Sequence, residues 1–258
     1  MRTKLSVFCD KVLETGWLLA VIVAPLFFDV YSSRVFEPDK LSLVRSIALM
    51  MGVAWLVKVI DTGAWGATAN RAPAAGANGE AVASRPGLWQ RLSAVPLVVP
   101  TILLVASYLL STILSIAPQI SLWGSYMRLQ GTYTTYSYIV IFFLMLGTLR
   151  QREQLDRLCS TIILTSLPIS LYGILQHLNL DSLPWSGEVT LRVASNMGNS
   201  IFVAAYLIMA VPLTLARLVD SFSTLLKDQE GTISHALVAG CYTFVMTVQL
   251  VCIFFTQS

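Results

Sequence analysis

Apolar residues in this chain come in long runs broken by short polar segments. They do not alternate as in a half-buried strand. They also lack the one-sided spacing of a surface helix. A helix crosses the hydrocarbon core of a bilayer with about 20 mostly apolar residues. Seven stretches meet that pattern, at 15–31, 41–60, 95–115, 132–149, 157–176, 199–219 and 236–256. They predict an all-α fold, a polytopic transmembrane helix bundle of about seven spans forming one domain over residues 1–258. The fourth stretch is short and draws on Tyr133–Tyr138, where aromatic rings suit the membrane interface. Pro25, Pro168 and Pro212 fall within spans and allow kinks. Ala48 with Gly52, and Ser107 with Ser111, sit four apart and predict helix–helix contacts. Residues 61–94 are rich in Ala and Gly, include Pro73 and Pro86, and read as a flexible linker. Within it, Trp89 and Leu92 suit an interface. No internal repeat supports an inverted-repeat transporter.

Charge orients the spans. Twelve of the 17 Lys and Arg residues fall on the N-terminus and the second, fourth and sixth loops. The other five, Arg34, Lys40, Arg45, Arg128 and Arg192, fall on the opposite side. The positive-inside rule then predicts a cytoplasmic N-terminus and, after seven spans, an external C-terminus. Arg2, Lys4 and Lys11 precede the first apolar run, but Asp10 and Glu14 interrupt it and no small-residue cleavage site follows. The run therefore reads as a retained helix rather than a signal peptide.

Composition agrees with a lipid solvent. The chain is 55% hydrophobic and 12% charged, against roughly a quarter charged in soluble domains. A net charge of +3, with its basic residues dispersed, argues against nucleic acid as a partner. Cys9, Cys159, Cys241 and Cys252 are far apart and none has a His at metal-ligand spacing, so neither disulfides nor a zinc site is indicated. No phosphate-binding glycine loop, dinucleotide fingerprint, nucleophile elbow or zinc motif is present. Few ionisable residues lie within the spans, which weighs against an ion pathway.

The five externally placed basic residues run against the positive-inside rule. Arg128 precedes the fourth span and Arg192 the sixth, so each lies near a helix N-terminus with its unpaired N–H groups. Ser195, Asn196, Asn199 and Ser200 are all N-cap residue types beside Arg192. A guanidinium beside free amides suits phosphate or pyrophosphate. Each arginine taken alone reads better as an interfacial anchor for lipid phosphate, and it is the repeated arrangement that brings an anion site level with that reading. Arg45 lies about 6 Å along its helix from Leu41, within reach of the interface. Glu37 and Asp39 are candidate partners for Lys40 and Arg45, in an ion-pair cluster fixing the first external loop. His177, Asp181, Trp185 and Glu188 offer acid–base groups on the third external loop. A cap or interfacial role suits His177 better, and a cap suits His235. Trp123, Tyr126 and Trp185 fit either stacking on sugars or an aromatic belt.

Three segments together carry a resemblance. The first is Phe36-Glu37-Pro38-Asp39-Lys40, leading to Arg45. The second is Ser121-Leu-Trp123-Gly124-Ser-Tyr126-Met-Arg128-Leu-Gln130-Gly131. The third is Arg192-Val-Ala-Ser195-Asn196-Met-Gly198-Asn199, which opens a span with Ala204, Ala205 and Tyr206. In order and spacing they resemble the O-antigen ligase and polymerase family of bacterial envelope glycosyltransferases, in particular its tetratricopeptide-fused members. The likeness runs from about Pro25 onward. It implies a multi-pass protein of the bacterial inner membrane. It also implies transfer of a lipid-linked glycan from undecaprenyl pyrophosphate to an acceptor on the outer face, with no metal or other cofactor. Arg128, Arg192, Ser195, Asn196 and Asn199 would then bind the pyrophosphate, supported by Arg45, Trp123, Tyr126 and Gln130. The family's catalytic histidine lies late in its chain and has no counterpart here, so the catalytic group is unassigned. The resemblance thus implies an N-terminal half that is inactive alone and continues past Ser258. The alternative is a non-catalytic transmembrane subunit packed against membrane lipids and a larger membrane protein partner.

Overall fold

The computed structural model describes residues 3–31, 36–63, 97–181, 183, 189–227 and 233–257. Among them the regular structure is entirely helical. In chain order the helices are α1 (Lys4–Leu26), α2 (Pro38–Thr62), α3 (Val98–Ile113), α4 (Pro118–Trp123), α5 (Thr132–Thr148), α6 (Arg152–His177), α7 (Ser200–Lys227) and α8 (Ile233–Thr256), with a 3-10 turn at Ser195–Met197 before α7. Four of them, α2, α6, α7 and α8, are long and apolar enough to cross a membrane. The apolar helices α3 and α5 are shorter, at 16 and 17 residues. The four long helices mark a membrane protein.

Each predicted stretch overlaps one helix; the second, third, fourth, fifth and seventh nearly share its centre, and the first and sixth are displaced. The fifth and sixth stretches lengthen to Arg152–His177 and Ser200–Lys227. The first moves from 15–31 to Lys4–Leu26 because its polar opening turns are also helical. Cys9, Leu13 and Trp17, at helical spacing, are buried there despite the flanking charges. The linker at 61–94 and the residues Arg34, Trp89, Trp185 and Glu188 lie outside the described residues, apart from the linker's first three positions at the end of α2.

Packing divides the chain into two units, Met1–Trp17 with Val44–Thr148, and Leu18–Leu43 with Leu149–Ser258, so α1 and α2 each contribute to both. In the first unit, Lys58 is paired with Asp10, and the Thr3 hydroxyl bonds Asp61. Tyr136 donates to the carbonyl of Val105 at 2.8 Å, and the hydroxyls of Thr112 and Thr132 meet at 2.6 Å, joining α3 to α5. Ala48 is buried, but Gly52 does not make the expected close contact: a Cβ on it would meet nothing within 4 Å. Both line an apolar groove of about 540 Å³ between α2 and α5. Ser107 and Ser111 are exposed.

The second unit is built on α6, α7 and α8. Its core holds Ile169, Val193, Val203, Leu207 and Cys252. Beside it Gln249 donates to Ser166 Oγ at 2.6 Å and to Thr214 Oγ1 at 3.0 Å. These three polar residues are 0% exposed, whereas Leu164 and Ile208 on the same helices are 67% and 62% exposed. Buried polar groups are thus partnered inside while large apolar side chains also face outward, an arrangement that suits a lipid solvent.

Candidate functional site

The predicted site residues fall into two clusters, one in each unit. In the first, Arg128 sits on the loop joining α4 to α5. Pro118 at the first turn of α4 presets its backbone angle. After Trp123 the chain enters Gly124, at φ 89°, and returns at Gly131. The two glycines close the loop by backbone contact. A Cβ on Gly131 would lie 2.3 Å from the nitrogen of Gly124, and one on Gly124 would lie 2.3 Å from the carbonyl carbon of Leu129. Between them, the amides of Arg128 and Leu129 both donate to the carbonyl of Ser125, at 3.1 and 2.8 Å. Tyr126 and Arg128 are exposed on the resulting tip, and Gln130 is exposed next to Gly131.

Arg45 holds this loop from below. It is 8% exposed. Its Nη2 donates to the carbonyls of Trp123 at 2.7 Å and Leu129 at 2.5 Å, and to Thr134 Oγ1 at 2.6 Å; Nε donates to the same hydroxyl at 2.9 Å. The Thr134 hydroxyl in turn donates to the carbonyl of Leu129 at 2.7 Å. The guanidinium also lies 4.9 Å from the centre of the Tyr133 ring, in cation–π range. Trp123 meets that ring edge-on at 5.3 Å. The α4 end has unpaired carbonyls, as every helix end does, and the forked guanidinium answers them. Leu129, at φ 53°, occupies the left-handed region, unusual for a branched side chain. Three donors on its carbonyl, Arg45 Nη2, Thr134 Oγ1 and the Gly131 amide, hold it there. Arg45 is therefore committed to the α4–α5 loop, rather than to the expected cluster with Glu37 and Asp39.

In the second unit, Arg192 is exposed on the segment between α6 and α7. Both ends of that segment are tied to adjacent residues at the end of α6. His177 Nδ1 bonds the carbonyl of Thr190 at 2.8 Å, and Gln176 Oε1 accepts from the amide of Ser195 at 2.7 Å. A carbonyl can only accept, so Nδ1 carries the hydrogen. Between those ties the amide of Val193 donates to the carbonyl of Phe255 at 3.2 Å. The His177 ring stacks on Phe255, with centroids 3.7 Å apart and planes inclined by 16°.

The polar residues grouped with Arg192 in the sequence have separate duties. Ser195 is buried and donates from Oγ to the carbonyl of Ile169 at 2.8 Å. Asn196 is buried and donates to the carbonyls of Pro25 and Leu26 at 3.0 and 2.9 Å, closing the last turn of α1. Asn199 is the N-cap of α7: its side-chain oxygen accepts from the amide of Ile201 at 3.0 Å. Asp181 accepts from Tyr172 at 2.7 Å and from the amide of Leu183 at 3.0 Å, bracing the start of the same segment. Of the predicted anion ligands, Arg128, Arg192 and Asn199 are exposed, while Ser195 and Asn196 are interior braces. Thr134 and Gln176 escaped the sequence reading. A glutamine at the end of an apolar span is a signal for Gln176, since a buried amide in lipid needs partners.

No family model matches the chain, and no curated protein or solved structure matches it either.

Proposed function

We propose that the chain is the membrane-embedded part of a bacterial envelope glycosyltransferase of the O-antigen ligase and polymerase type. It takes glycan from undecaprenyl pyrophosphate on the outer face of the inner membrane. In this reading about seven spans cross the bilayer, the N-terminus is cytoplasmic, and the loops carrying Arg128 and Arg192 face outward. The observation that supports it is common to both loops: an exposed arginine rides on a backbone braced by buried or half-buried polar side chains. Arg45 and Thr134 brace the first, and His177, Gln176 and Ser195 the second. A loop ordered before its ligand arrives loses less entropy on binding, and a guanidinium is the side chain best matched to phosphate oxygens.

The test is binding of farnesyl pyrophosphate, a short-chain probe, to the purified protein and to Arg128→Ala and Arg192→Ala. Each substitution should weaken binding about tenfold, the equivalent of one charge-assisted contact of about 1.4 kcal/mol. Both arginines are exposed, so each variant should melt close to the parent. Unchanged affinity in both variants sinks the assignment. Cysteines placed at 128 and 192 should react with a membrane-impermeant thiol reagent in intact spheroplasts. Protection of both until lysis would reverse the topology.

A further inference from the structure

At the end of the second unit remote from Arg192, a polar cleft of about 230 Å³ opens between the last turns of α7 and the first of α8. It is lined by Arg217, Asp220, Ser221, Thr224, His235 and Tyr242, with Val238 beside them. The volume is far beyond the roughly 10–15 Å³ that holds one water. None of these residues takes part in the function proposed above. We propose that this cleft binds the headgroup of a zwitterionic phospholipid that carries a primary ammonium, a phosphatidylethanolamine.

Three observations carry it. The first is depth. α7 has 28 residues, about 42 Å at 1.5 Å per residue, against a hydrocarbon core of about 30 Å. A span counted from Ser200 leaves the hydrocarbon near residue 220, so Asp220 and Ser221 lie at headgroup level, and the long Arg217 side chain starts less than one turn deeper and can snorkel to it. Tyr242 lines the same cleft from α8, and its amphipathic ring can keep the hydroxyl toward that level. The second is charge. Arg217 Nη2 donates to Asp156 at 2.5 Å, so that carboxylate already neutralises part of its charge. Its remaining N–H groups, with the Tyr242 hydroxyl, are donors for a phosphodiester. The Asp220 carboxylate makes no ion pair among the described residues. With Arg217 already paired to Asp156, the Asp220 carboxylate in the lining disfavours a purely anionic headgroup and favours one with its own cation. The third is the flank. Leu237 and Val238, which lie toward the hydrocarbon from the start of α8, are exposed on the cleft's edge, where the first carbons of a seated lipid's chains would lie.

Asp220 discriminates by hydrogen bonding. A primary ammonium offers three N–H donors, while the trimethylated ammonium of phosphatidylcholine offers none. The experiment is native mass spectrometry of the delipidated full chain, titrated with phosphatidylethanolamine, phosphatidylcholine or phosphatidylglycerol of matched acyl chains. Phosphatidylethanolamine should be retained about fivefold better than either of the others, as one partly exposed charged contact allows. Asp220→Asn should remove the preference over phosphatidylcholine. Tyr242→Phe should weaken all three lipids alike, since each carries the phosphodiester. Equal retention of the three lipids, or a preference unchanged in Asp220→Asn, overturns the assignment. Displacement of the bound lipid by soluble phosphoethanolamine at a comparable concentration overturns the choice of a lipid as ligand.

Discussion

Replacing Arg45 by methionine tests the brace beneath the Arg128 loop. Methionine keeps an apolar stem of similar length and removes the fork. Four hydrogen bonds to three acceptors are lost, and the carbonyls of Trp123 and Leu129 lose a charged donor in a nearly closed site. A hydrogen bond to a charged group is worth about 1.5–3 kcal/mol. The bonds share acceptors, so they do not simply add. The expected cost is about 3–5 kcal/mol, since each buried acceptor left short of its donor costs about 1–3 kcal/mol. For a protein of this size that is a fall of roughly 6–20 °C in melting temperature. Arg45→Lys should recover part of it, because an ammonium can serve one or two of the acceptors but cannot reproduce the planar fork. The assay is thermal melting in detergent, paired with limited trypsin digestion read at the Arg128–Leu129 bond. Arg45→Met should speed that cleavage as the loop loosens. A melting temperature within about 2 °C of the parent, with cleavage at Arg128 unchanged, would refute the brace.

Gly131→Ala should cost about 3 kcal/mol or more, since its Cβ meets backbone at 2.3 Å with no side chain free to yield. Gly52→Ala, with nothing within 4 Å, should instead stabilise by about 0.5–1 kcal/mol on helix propensity; denaturant unfolding of the two variants checks the opposite signs. Asn196→Asp places a carboxylate against the carbonyls of Pro25 and Leu26, where only a donor is satisfied, and should cost about 3 kcal/mol or more. Protonating that carboxyl restores one donor, so melting curves of the variant should converge toward the parent as pH falls.

Much of the helical framework was legible in the sequence because hydropathy is local. Lipid selects for apolar runs of a set length, and the runs at 132–149 and 236–256 agree with α5 and α8 to within three residues. Legibility failed where a helix leaves the apolar run. The opening turns of α1 carry Lys4, Asp10, Lys11 and Glu14, and only their burial stripe shows that they are helical. The short helix α4 was hidden for a related reason, since six residues hold too little periodicity to read.

The sequence by itself determined that this chain belongs in lipid, where its long helices run, and that Arg128 and Arg192 stand on polar segments between them. Composition and spacing suffice for that, since solvent and length constraints act residue by residue. Only the tertiary structure decided which polar groups are exposed and which hold the frame. Arg45 finds its acceptors 78 to 89 residues away, and Asn196 its carbonyls 170 and 171 residues away. A buried polar group must find a partner wherever the fold supplies one, and no local pattern encodes a partner so distant. Ser195 and Asn196 therefore looked like ligands beside an arginine, and the fold made them braces.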